Sequence, residues 1–152
     1  YLSWQVERSL GQTFRFVELA NDVNEHMPDY VVRRVQSLLN DQRKSVNGSR
    51  ILVFGFAYKA NTSDARETPS RPIVEKLSLL GAQIYLVDPH LSDAQFPAEA
   101  NRVDGTADDM AAADLALYLV DHDAFDTEAI GAAGVTVLDC RRALKGPEVH
   151  YL

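Results

Sequence analysis

Between Gly55 and Pro69 the chain gathers Tyr58, Lys59, Asn61, Thr62, Asp64, Arg66 and Glu67 in one short stretch, GFAYKANTSDARETP. Two cations beside a helix start suit an anionic group such as a phosphate, because the first turn of a helix presents unpaired N–H groups to it. Thr68-Pro69 is that helix start, with Thr68 as N-cap and Pro69 as first helical residue. Asp64 and Glu67 are placed to pair with Arg66 and hold it. A second basic pair, Arg141-Arg142, follows the run Val135 to Leu138. Together Lys59, Arg66 and either Arg141 or Arg142 are expected to meet at one edge of a sheet as an anion site. A single one of these cations would carry no such reading.

The elements that must position these residues are strands and helices in alternation. Ile51 to Phe54 is a continuous apolar run, as for a strand covered on both faces of a parallel sheet, and it stops at Gly55. Ile73, Val74, Leu77 and Leu80 give a helix face closed by Gly81, and QIYLV (Gln83 to Val87) reads as the next strand. A short helix near Ser92 to Ala100 and an extended piece at Val103 are expected, then a short helix from Asp108 to Ala112. LALYL (Leu115 to Leu119) is a third strand, Asp121 to Ile130 a helix with an acidic first turn, and Val135 to Leu138 a fourth strand. The fold class is therefore α/β, a doubly wound and mainly parallel Rossmann-like sheet, and ligands of such sheets bind beyond the carboxyl ends of the strands.

A long helix precedes this unit. Phe16, Leu19, Ala20, Val23, Met27, Val31, Val35 and Leu38 recur at spacings of three and four. Pro28 removes one helical hydrogen bond, so a kink is expected, or two helices meeting near His26. Such a helix serves either as an ordinary solvated element or as an interdomain connector and dimer contact.

Composition bounds the function. The net charge of -7 argues against a nucleic-acid or membrane-surface binder, which would carry a basic face. The lone Cys140 excludes an internal disulfide and a cysteine zinc site, and directly after a strand it reads as an inert thiol rather than a nucleophile. His26, His90, His122 and His150 show no metal-ligand spacing. No apolar run is long enough to span a bilayer and the opening lacks the core of a secretory signal, so the expected location is the cytoplasm. Tyr at position 1 suggests a piece of something longer. A dinucleotide fingerprint would place three glycines after the first strand; here only Gly55 is present. Asp88, at the position of a ribose-binding acid, has the plainer reading of a turn acid before Pro89.

GFAYKANTSDARETP resembles the segment that opens the C-terminal, UDP-binding domain of the UDP-sugar 6-dehydrogenases, G-(L/F)-(A/S)-(Y/F)-K-x-(N/D)-T-x-D-x-R-x-(S/T)-P. The resemblance extends to YLSW at the start, FVELANDVNEHMPDYVV in the long helix, IYLVDPH after the second strand and VLDCRRAL near the end. YLSW and the Asn-x-x-Met-Pro segment look most like the branch acting on UDP-N-acetylhexosamines or their uronate relatives. Ala60, Ser63 and Ala65 fall at variable positions, and Cys140 stands where a small residue is common.

The resemblance implies a division of labour. Residues 1–45 would be a connecting and dimerisation helix region and 46–152 the UDP-binding domain. An N-terminal NAD-binding domain carrying the catalytic cysteine would lie outside this chain. Tyr58, Lys59 and Arg141 would bind the UDP-sugar, with Arg142 as the neighbour not excluded. Arg66 would reach NAD, and no catalytic residue would lie here. The reaction implied is oxidation of the sugar C6 alcohol to an acid with two NAD, through a thiohemiacetal and thioester. A free-standing nucleotide-binding module and a purely structural dimerisation domain are the alternatives.

Overall fold

In a computed structural model, residues 15–152 are described. The YLSW opening and the first part of the 1–45 region lie outside the described residues. Six parallel strands form one sheet in the order β3-β2-β1-β4-β5-β6: β1 (Arg50–Phe54), β2 (Gln83–Val87), β3 (Ala100–Arg102), β4 (Leu115–Tyr118), β5 (Val137–Asp139) and β6 (Val149–Tyr151). The chain winds outward from β1 through β2 to β3, then returns to β4 and winds outward the other way. The carboxyl ends of β1 and β4 therefore flank the point where the strand order reverses, the natural crevice of such a sheet.

Alternation along β1 divides the core. Ile51 and Val53 face one layer with Val31, Val35, Leu39, Ile73, Val74 and Leu77, from α1 (Arg15–Asp41) and α2 (Ser70–Leu79). Leu52 and Phe54 face the other, with Met110 of α3 (Ala107–Ala112) and Ile130 of α4 (Thr127–Ala132). Both faces of the central strands are covered, which is why they read as unbroken apolar runs.

Several expectations are corrected. The long helix is one element through Pro28, not two meeting near His26. Its apolar face is divided between two environments: Val31, Val35 and Leu38 are buried, whereas Phe16, Leu19 and Val23 are 78%, 60% and 51% exposed. The domain body covers the helix only from Pro28 onward. An ion pair between Asp29 and Lys76 joins that covered part to α2.

The helix expected from Ser92 to Ala100 is a single 3-10 turn, Asp93–Gln95. Pro97 forces the residue before it out of helical geometry, and Phe96 is extended at φ -69, ψ 134. The helix expected from Asp121 starts only at Thr127, capped by Asp126, whose carboxylate accepts from the Ala129 N–H at 2.9 Å. Asp121, His122 and Asp123 stay out of it because Asp121 is bonded to the Tyr118 hydroxyl and the polar groups of His122 and Asp123 are engaged across the fold. The last inner strand is shifted to Val137–Asp139, the extended piece near Val103 is β3, and β6 was not anticipated. The helix after the loop starts at Ser70 with Pro69 in the N-cap position, one residue later than expected; Thr68 Oγ1 still accepts from the Ser70 N–H at 3.2 Å and donates to the Phe56 carbonyl at 2.7 Å.

Candidate functional site

The segment Gly55 to Pro69 leaves β1 through a turn that only glycine can make. Gly55 has φ +81, and a Cβ there would lie 2.5 Å from Val120 Cβ and 2.8 Å from the Val120 carbonyl oxygen. The chain then runs over the end of the sheet, and the Tyr58 N–H donates to the Asp64 carbonyl at 2.7 Å, closing the loop upon itself.

Below this loop lies a buried polar relay. Asp88, 3% exposed, follows β2, and one of its oxygens accepts from the N–H groups of Phe56 at 2.8 Å and Ala57 at 3.0 Å. Its other oxygen accepts from the His90 N–H at 3.0 Å. His122, 1% exposed, lies with its Nε2 3.1 Å from Asp88, while its Nδ1 is 2.9 Å from the Asn61 nitrogen. A backbone N–H can only donate, so Nδ1 is the acceptor and the ring proton sits on Nε2, donated to Asp88. The Asn61 side-chain oxygen accepts in turn from the Asp123 N–H at 3.0 Å. Asn61 itself is left-handed at φ 58, a conformation asparagine tolerates better than most residues. The His90 ring stacks 4.7 Å from that of His122, and its Nε2 is buried with no hydrogen-bond partner among the described residues.

Asp88 is the turn acid expected, through its bond to the His90 N–H, and it is also the buried anchor of the loop. Burial acts to raise its pKa, but the N–H groups of Phe56, His90 and Ala57 outweigh burial and, with His122, hold it below the usual carboxylate range. The carboxylate occupies the two N–H groups of the β1 turn where a dinucleotide fold would receive a pyrophosphate. An internal anion takes the place of the external one, which agrees with the missing glycines.

The proposed ligand-binding side chains are exposed on this frame. Tyr58, 57% exposed, and Lys59 stand at the loop tip, which Asn61 ties to the β4 side through His122 and Asp123. Arg66 belongs to the returning arm and grips Asp64 with two parallel bonds, Nε to Oδ1 and Nη2 to Oδ2, each 3.0 Å. The Arg66 side chain, together with its backbone N–H, draws the Asp64 carboxyl down to about 2. Arg66 lines a groove of about 410 Å³ with Arg71, Gln95, Phe96 and Glu99, on the β2–β3 side. The Gln95 amide donates to the Ser63 carbonyl at 2.5 Å and fixes that arm to the β2–β3 connection. Lys59, on the tip, is near enough to the Asp64 carboxylate to help lower it, so the two arms of the loop meet at Asp64.

Arg141 is presented by a second buried acid. Asp139 is fully buried, and it accepts from the N–H groups of Arg141 at 2.7 Å, Arg142 at 2.9 Å and Leu144 at 2.8 Å. These bonds shape the turn that exposes both arginines. Arg142, left-handed at φ 58, lies over the Tyr151 ring at 5.8 Å, toward the outermost strand. The buried Tyr118 phenol is raised by desolvation and by its 2.8 Å bond to Asp121, and Arg141 is near enough to oppose that rise. One strand, β4, separates β1 from β5, so the two loops stand about 10 Å apart, a span for an extended ligand rather than one small anion. Cys140 is inert: burial and then the Asp139 carboxylate push its thiol up to about 12. Among the described residues no group of three or more His, Cys, Asp or Glu is placed to hold a metal ion, and no helix is long and apolar enough to cross a membrane.

Sequence comparison agrees with this frame. The UDP-N-acetyl-D-mannosamine dehydrogenase of Methanococcus maripaludis strain C7 is 34% identical over 112 residues, 73% of this chain and 24% of that protein. The UDP-glucose 6-dehydrogenase TuaD of Bacillus subtilis is 33% identical over 85 residues, 56% of this chain and 18% of that protein. The crystal structure of the NDP-N-acetyl-D-galactosaminuronic acid dehydrogenase from Methanosarcina mazei superposes with a TM-score of 0.74 at 25% identity, covering 88% of this chain and 30% of the other. The chain thus spans about a quarter of the length of the curated relatives it matches. Residues 52–146, from β1 to the turn before β6, match the model of the UDP binding domain of the UDP-glucose/GDP-mannose dehydrogenase family, and the chain belongs to that family.

Proposed function

We propose that this chain is the UDP-gripping part of an NAD-dependent nucleotide-sugar 6-dehydrogenase that oxidises the C6 alcohol of a UDP-sugar to a carboxylate. The observation that carries the proposal is the exposed Tyr58-Lys59 tip on the reversal point of a sheet whose sequence matches a UDP-binding domain. Lys59 and Arg141 neutralise the diphosphate from two sides of β4, and Tyr58 supplies an aromatic face to the nucleotide. Arg66, on the opposite arm, meets NAD held by a separate domain. Binding energy collected here, remote from C6, orients the alcohol for reaction elsewhere, so this part raises the rate without a nucleophile of its own. Residues 1–45 serve as connector and dimer contact, and 46–152 as the nucleotide domain. The exposed Phe16, Leu19 and Val23 supply an apolar stripe for a second copy.

Calorimetric titration with UDP, using NAD as control, tests the assignment. UDP is expected to bind and NAD not, with Lys59→Ala weakening UDP by roughly tenfold or more. Absence of UDP binding by the whole dehydrogenase overturns it. The dimer contact is checked by sedimentation of the double variant Phe16→Glu, Leu19→Glu. It should shift a dimer to monomer; a monomeric parent chain, or a dimer that persists, removes that role.

A further inference from the structure

We infer that Asp88 and His122 are positioning residues for the substrate loop: through Asn61 they set the shape of the tip that bears Tyr58 and Lys59. This rests on the reading that the tip meets UDP. The geometry is a chain of hydrogen bonds in which each acceptor is already committed. Asp88 fixes the base of the loop at Phe56 and Ala57, and the same oxygen receives the proton of His122. His122 can then offer only Nδ1 to the loop, and Nδ1 takes the Asn61 N–H, two residues beyond Lys59. The Asn61 side chain returns the contact to the backbone of Asp123, beside His122. Lys59 is held between the two anchors, one at Phe56-Ala57 and one at Asn61. Both anchors end on one buried carboxylate.

An ordinary core histidine would be satisfied by any partners, and its loss would loosen the whole domain. This one joins three segments, after β1, β2 and β4; its ring packs beside His90 and Phe125, and its outward hydrogen bond is made to the loop tip alone. Loss of the Nδ1 acceptor therefore releases the tip while leaving the sheet intact.

Three substitutions separate the two ends of the ring. His122→Asn keeps an amide oxygen near the Nδ1 position, His122→Gln keeps a donor toward Asp88, and His122→Phe keeps the ring and neither bond. Amide hydrogen exchange read by NMR is independent of any ligand. The Asn61 amide is expected to exchange about tenfold faster or more in the Gln and Phe variants and close to the parent rate in the Asn variant. Amides of β1 should be unchanged. UDP affinity should follow the same order, falling about tenfold for Gln and Phe and being largely rescued in Asn. Unchanged exchange at Asn61 in the Phe variant overturns the inference, as does exchange rising equally across β1, which would mark a structural histidine. Faster exchange at Asn61 with undiminished UDP affinity also overturns it. If the parent protein binds no UDP, the proposed function fails, and the exchange pattern alone decides whether His122 shapes the tip.

Discussion

The tip of the Gly55–Pro69 loop and its returning arm lie a few residues apart but are held by opposite means. Tyr58 to Asn61 rests on a buried carboxylate and a buried imidazole, both excluded from water. Ser63 to Glu67 keeps Ala65 in the core and takes the Tyr58 N–H at the Asp64 carbonyl, but its side chains are held only by an ion pair whose arginine is 88% exposed and by one amide from Gln95. A buried, fully satisfied polar group fixes geometry, because every alternative leaves a donor or acceptor unpaired in a dry place. An exposed ion pair exchanges with water at little cost and leaves its members free to re-pair. The contrast suits the proposed roles: Lys59 meets a ligand on a preset tip, and Arg66 remains able to leave Asp64 for a partner on another domain.

The contrast can be broken most strongly at Asp88. Asp88→Asn puts amide hydrogens against backbone N–H groups and removes the charge that His122 faces, at an expected cost of about 3 kcal/mol by urea unfolding. Because the folded pKa of Asp88 lies below its ordinary value, its contribution is fully present above pH about 4 and fades as the pH falls through the depressed value. The parent should therefore lose stability on the acid side more steeply than the variant; matching acid limbs would show that Asp88 is not the anchor described. The opposite arm should respond least. Asp64→Asn frees Arg66 from its fork, and the melting temperature is expected to move by no more than about 2 °C. A larger shift by calorimetry would mean that the exposed arm is structural after all.

Much of this architecture is legible in the residues. Ile51 to Phe54, Ile84 to Val87 and Leu115 to Leu119 announce strands by unbroken apolar runs, and the loop announces itself by the types of residue it gathers. The relay beneath the loop was not legible, because its members are joined across 31 to 62 positions and each alone looks ordinary. Asp88 reads as a turn acid, and Asp121-His122-Asp123 reads as the acidic start of a helix. Only the sheet order, which sets the end of β2 near that of β4 across β1, makes them neighbours. The edge strand β6 escaped for a different reason: three residues, Val149 to Tyr151, are too few for an alternation to stand out. The division among the cations also required the fold, since nothing in the spacing tells which arm of the loop faces which neighbour.

The proline of α1 has a mechanical consequence. Pro28 is buried at the place where the helix leaves the domain body, and the thirteen residues from Arg15 to Met27 stand beyond it. At 1.5 Å per residue these make a lever of about 20 Å, with its one missing backbone bond at the fulcrum. A bend of about 10° there carries the far end of the helix through about 3 Å. Small adjustments at one buried residue thus become displacements as wide as a hydrogen bond at whatever the helix is attached to.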